Sequence, residues 1–321
     1  MKFGYLSVNT ADGIHPGQLG KELEERGFES LWVPEHSHLP VASAVTFPDP
    51  TRVMPDAYAH MMSPYVSLAA AAATTSKLTL GTGMSVGLEH DLMDLACTIS
   101  TLDVLSHSRL IAGFGVGWNV EELHNSRPEL PFRQRYSALK DRIAALRAAW
   151  GTDNSSPGFS GPYSNTAWGQ QISSYSGNFD RFSPSWVFPK PVRGSVPVAL
   201  GLAGPLGVQH AADYADIWAP VDTGLRNTAG EVDVAGAIER FRRAVEDAGR
   251  DPEAVGITLF NITDITEAMI DHYATLPIDR FVFGPPTFMR HPASATLKRL
   301  DALRRYIETY TDTRQPANQG Q

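Results

Sequence analysis

The feature that most narrows the possible folds of this chain is an alternation. Strand-like runs occur at "KFGYLSV" (2–8), "SLWVPEH" (30–36), "KLTLGTGMSV" (77–86), "RLIAGFGVG" (109–117), "VPVALGLA" (196–203), "DIWAPV" (216–221), "VGITLFNI" (255–262) and "RFVFGPP" (280–286). Each is followed by a stretch with helical spacing or composition, at 17–28, 64–76, 92–105, 134–149, 205–214, 234–249, 264–274 and 293–310. Short apolar runs bounded by Gly and Pro read as buried strands, and strands joined through helices lie parallel. Eight such units within 321 residues match a closed (β/α)8 barrel over 1–312 better than an open doubly wound sheet, the alternative that the pattern leaves open. The polar end "TRQPANQGQ" (313–321) reads as a disordered tail.

Two segments exceed a minimal connection. Residues 37–63, after the second strand, are rich in Pro and aromatics and read as an ordered lid or pocket wall, and 151–191, between units four and five, reads as a cover for the rim; for both the alternative is a surface excursion. A net charge of −8 without a dense Lys/Arg cluster argues against nucleic acid or an anionic membrane as partner, and favours a small-molecule substrate. Cys97 is the only cysteine, which excludes a disulfide framework and a cysteine-based zinc site, and fits a reducing compartment. Its helix-like surroundings predict a packed, inert thiol. The N-terminus turns polar too soon for a signal peptide and no run approaches the ~18 apolar residues of a membrane helix, so a cytoplasmic location is expected. No ligand spacing such as H-E-x-x-H is present, so no metal is expected.

A barrel of this kind carries its chemistry at the carboxyl ends of its strands. The run "LWVPEHSHL" (31–39) therefore puts Glu35, His36 and His38 on the catalytic rim. An imidazole on that rim is suited to exchange protons near neutral pH. Glu35 is the candidate to orient that imidazole or tune its pKa; the bland alternative is that His36 and His38 only tie the long loop to the barrel. Tyr58, His60, Trp118, Trp168 and Tyr175 offer an aromatic, partly polar pocket lining.

The runs "RGFESLWVPEHSHLP", "LTLGTGMSV", "STLDVLSHSRLIAGFGVGWNVEEL", "WVFPKPVRGSVPVALGLAGP" and "YADIWAP" together resemble the bacterial luciferase-like superfamily in order and spacing. Within it, "PEHSHLP" and "GVGWNVEE" are most similar to a branch of oxidoreductases that depend on the deazaflavin coenzyme F420. The resemblance implies hydride transfer with His36 as proton relay and F420 as cofactor, with flavin mononucleotide (FMN) and monooxygenase chemistry as the alternative. A barrel that has lost catalysis is a third, minor reading, and the family's habit implies a homodimer. The resemblance further implies a non-proline cis bond at Gly83–Met84, where a bulge including Ser85 and Val86 presses backbone against the cofactor ring. Gly115 and Gly117 would let backbone approach the ring or its chain, with Trp118 as wall and Asn119 as hydrogen-bonding group. Glu121 and Glu122 read as helix-start residues favoured by the dipole. Gly201, Leu202, Ala203 and Gly204 match a small-residue turn whose backbone N–H groups would hold the cofactor phosphate. The G-x-G pattern lacks the acidic partner of a dinucleotide fingerprint, which disfavours nicotinamide. Two departures stand out: Glu89-His90-Asp91 replaces a pattern ending in Pro, with a charge reversal at Glu89 expected to weaken contact with an anionic cofactor tail or substrate, and His107-Ser108 replaces Gly-Gly.

Overall fold

The computed structural model describes residues 1–41, 54–151 and 161–312. The expected tail at 313–321, and parts of both long connections, lie outside them. Eight parallel strands close into a barrel: β1 (Lys2–Leu6), β2 (Ser30–Val33), β3 (Thr79–Thr82), β4 (Leu110–Phe114), β7 (Val198–Leu200), β8 (Ile217–Trp218), β9 (Gly256–Asn261) and β10 (Arg280–Phe283). Around them run α1 (Pro16–Glu25), α2 (Pro64–Ala72), α3 (Leu92–Leu105), α4 (Val120–Ser126), α5 (Arg135–Trp150), α6 (Pro205–Tyr214), α7 (Val234–Asp247), α8 (Glu267–Ala274) and α9 (Ala293–Asp312). The ring closes where β1 meets β10, with Phe3 opposite Phe281. The closed barrel replaces the open-sheet alternative.

Two elements were not anticipated. The second long connection contains an antiparallel hairpin of β5 (Ile172–Ser176) and β6 (Arg181–Trp186), and the short α4 follows β4 directly. Asp141 on α5 anchors the hairpin by accepting from Tyr175 Oη and from the N–H groups of Phe179 and Asp180. The buried Arg142–Asp180 pair, at 2.7 and 3.0 Å, clamps its second strand to the barrel.

Strand alternation divides the core in two. Leu6, Trp32, Ile111, Ala199, Ala219, Phe260 and Val282 fill the lumen, while their neighbours along each strand face the helices. Trp32 takes so much of the lumen that a Cβ at Gly81 on the next strand would sit 2.4 Å from its ring, which is why only glycine fits there. On α7, Val234, Ala237, Ile238, Phe241 and Val245 form one buried stripe at helical spacing. Phe241 stacks on Trp218 at 4.5 Å, a burial that contributes about 1.5–3 kcal/mol. Cys97 departs from the expected packed thiol: it lies on the exposed face of α3, because its neighbours Leu95, Ala96 and Ile99 take the buried face.

Candidate active site

Pro34 ends β2 and delivers two adjacent side chains to opposite partners. His36 turns to α4, where its Nδ1 lies 2.8 Å from Glu122 Oε2 and 3.0 Å from Oε1, both side chains being almost fully buried. Glu35 turns to the β3–α3 connection. Its carboxylate accepts from Ser85 Oγ (2.5 Å) and the Val86 N–H (2.9 Å) and pairs with His90 Nε2 (2.9 Å). Ser85 in turn accepts from the buried hydroxyl of Tyr65 at 3.1 Å. The expectation that Glu35 orients His36 is thus corrected: Glu122 does so, and Glu35 holds the bulge.

The same geometry corrects the reading of α4. Asn119 is buried and accepts from the N–H groups of Glu121 and Glu122, capping the helix. This places Glu122 at the third helical position, where a capping-box glutamate would reach back to the cap. Here it reaches His36 instead, so its duty is that contact rather than the helix dipole. The N-x-x-E spacing was the one signal in the sequence that could have singled it out.

Aromatic rings enclose His36. Tyr58 lies 5.1 Å and Trp118 5.6 Å from it between ring centroids, and Phe288 packs on Tyr58 at 5.6 Å. The other expected lining residues lie elsewhere: His60 bonds the Asp56 carbonyl, Trp168 packs on Tyr163 and Trp186, and Tyr175 is held by Asp141. His38 is bonded by Ser37 and by Asn125 of α4, which tethers the loop.

The Gly83–Met84 bond is cis. Met84, with Val221, Ile262 and Phe288, packs over the lumen cluster at the mouth of the barrel. A Cβ at Gly201 would stand 2.5 Å from Met84 Cγ, so the small residue after β7 is required by the methionine across the mouth. Gly115 and Gly117 are partly exposed beside it, Gly117 with φ +72. Ser85 and Val86 are buried and serve the Glu35 network, and Leu202 is a core residue whose carbonyl accepts from Trp218 Nε1. Ala203 is half-buried and Gly204 exposed, the latter starting α6 with no side-chain cap.

The departure at 89–91 has a physical account in which each residue does separate work. Asp91 caps α3, His90 pairs with Glu35, and Glu89 sits between Glu35 and Glu122 with Oε1 buried and unpartnered among the described residues. Burial first, then the charges of Glu122 and Glu35, push the Glu89 carboxyl up to about 9. That shift favours the neutral carboxyl at pH 7. Burial also works against the Glu35 carboxylate, but the bonds from His90, Ser85 and the Val86 N–H prevail and hold it below the usual carboxylate range.

A family model described as luciferase-like monooxygenase matches residues 1–320. The chain belongs to the luciferase-like monooxygenase family. It is 32% identical over 307 residues to an uncharacterized protein of Mycobacterium tuberculosis, covering 94% of this chain and 98% of that one. An F420-dependent hydroxymycolic acid dehydrogenase of the same organism is 22% identical over 234 residues, 73% of this chain and 54% of that one. The monooxygenase RslO1 from Streptomyces bottropensis shares the fold with a TM-score of 0.72 at 17% identity, over 97% of this chain and 100% of that chain.

Proposed function

We propose that this luciferase-like protein is an F420-dependent oxidoreductase acting on a small carbonyl, imine, alkene or alcohol, with the His36–Glu122 pair handling the proton. That pair, set in aromatic walls at the barrel mouth, is the observation that carries the reading. The mouth suits a flat ring bearing a phosphate chain: Met84, Val221, Ile262 and Phe288 offer an apolar face. Gly115 and Gly117 offer backbone free of side chains, and a Cβ at Gly204, at the uncapped start of α6, would meet nothing within 4 Å. When bound, a deazaflavin supplies or accepts a hydride. Glu122 fixes the His36 ring and makes Nδ1 the donor nitrogen, leaving Nε2 to give or take the substrate proton. Tyr58 and Trp118 exclude water around that nitrogen. The F420-dependent relative supports this choice of cofactor.

Titration with F420 and, separately, with FMN, followed by cofactor fluorescence, tests the reading. Binding of F420 in preference to FMN supports it; preference for FMN would replace it with monooxygenase chemistry, and binding of neither would leave a barrel without redox function. His36→Asn is expected to leave F420 affinity nearly unchanged and to lower turnover by about 10²-fold or more. Equal loss of both would remove the proton role.

A further inference from the structure

A cavity of about 210 Å³ lies outside the barrel wall, between β1, the loop that follows it and the start of α9. None of the residues around His36 lines it. Tyr5 stands in its wall with a hydroxyl that has no hydrogen-bond partner among the described residues. Arg299, from α9, spends one N–H on the Gly284 carbonyl at 2.6 Å, and its Nε is buried without a partner among those residues. Among the described residues no carboxylate lines the cavity. The acids of the adjoining segments, Asp12 and Asp56, are taken by Arg290 at 3.1 and 2.8 Å. Ala295 and Thr296, in the first turn of the 20-residue α9, bring the positive end of that helix to the same wall. In a chain of net charge −8, this leaves a guanidinium, a hydroxyl donor and a helix start facing one half-open space with no carboxylate among the described residues lining it. A partly buried cation is stable only when paired.

We infer that this cavity is a binding site for the carboxylate of a small organic acid, held by Arg299 and the Tyr5 hydroxyl, with its short apolar body against Val8, Ile14 and Pro285. Two convergent donors suit the two oxygens of a planar carboxylate. The volume lies below the ~300–1,000 Å³ of sites for larger ligands, which limits the occupant to a short chain. Burial raises the Tyr5 hydroxyl above its usual range against the opposing charge of Arg299, so it remains a neutral donor beside that cation.

Calorimetric titration of the full chain with sodium propanoate, against sodium chloride at matched ionic strength and sodium phosphate, tests the site without cofactor or substrate. One-to-one propanoate binding is expected, weakened about tenfold in Tyr5→Phe. The Tm of that variant without ligand should match wild type, because the deleted hydroxyl has no partner to lose among the described residues. Arg299→Gln should abolish binding; because Arg299 also anchors Gly284, Tyr5→Phe remains the deciding variant if Arg299→Gln fails to fold. Equal binding by wild type and Tyr5→Phe, no propanoate binding beyond the chloride control, or phosphate bound more tightly than propanoate would each overturn the assignment.

Discussion

At the residue scale, the site turns on how three glutamates share one neighbourhood. Glu122 is bonded to His36, Glu35 to the bulge and to His90, and Glu89 to neither. Glu122→Gln keeps the shape but leaves His36 a neutral amide in place of a carboxylate; turnover is expected to fall about tenfold or more and its pH profile to move, while F420 affinity holds. Glu89 contributes to stability with the opposite sign from Glu35. Its folded pKa of about 9 lies above the ordinary 4.5, so the folded state binds a proton that the unfolded state has released. Its contribution is present below pH 4.5 and is lost progressively as pH rises towards 9. Glu89→Gln removes that dependence, and urea unfolding at pH 9 should show the variant more stable than wild type by on the order of 2–3 kcal/mol, after allowance for solvent relaxation at a partly exposed group. Glu35, held below 4.5, stabilises the fold above that pH and ceases to do so as pH falls through its lowered value.

At the element scale, short connections set the positions of these side chains. The nine residues from Gly83 to Asp91 supply the cis bond, both donors to Glu35 in Ser85 and Val86, its partner His90, the neutral Glu89 and the cap of α3. The α4 cap does comparable work. Asn119→Ala should destabilise by ~1 kcal/mol in chemical unfolding and lower turnover further than that loss explains, because it also releases Glu122. The turn before β4 shows the reverse of optimisation. His107 and Ser108 have φ of 54 and 63, the region that glycine adopts without strain. His107→Gly and Ser108→Gly are each expected to stabilise by about 0.5–1 kcal/mol, measured by urea midpoint.

For the whole molecule, closure and clamping matter most. At the lower end of the lumen Arg280 donates to Glu29 at 2.6 and 2.7 Å, bonds Thr258 and lies over the Trp32 ring at 5.6 Å, joining β10 to β2 across β1. Arg280→Met strands Glu29 and is expected to destabilise by roughly 3–5 kcal/mol in guanidinium unfolding. On the upper side Arg142 grips both Asp180 of the hairpin and the carbonyls of Gly87 and His90, so the second insertion is coupled to the Glu35 network. By itself the sequence determined the barrel, its strand ends and the presence of His36 on the rim. Alternation, turn residues and a proline after β2 are local properties, readable one segment at a time. Which glutamate serves His36, which aromatics surround it and the protonation of Glu89 depended on the tertiary structure. Each of those facts is a distance between residues far apart in the chain, 86 positions for His36 and Glu122. Such distances are set by how α4 and the β3–α3 connection pack over the mouth, and periodicity along one strand or helix carries no record of them.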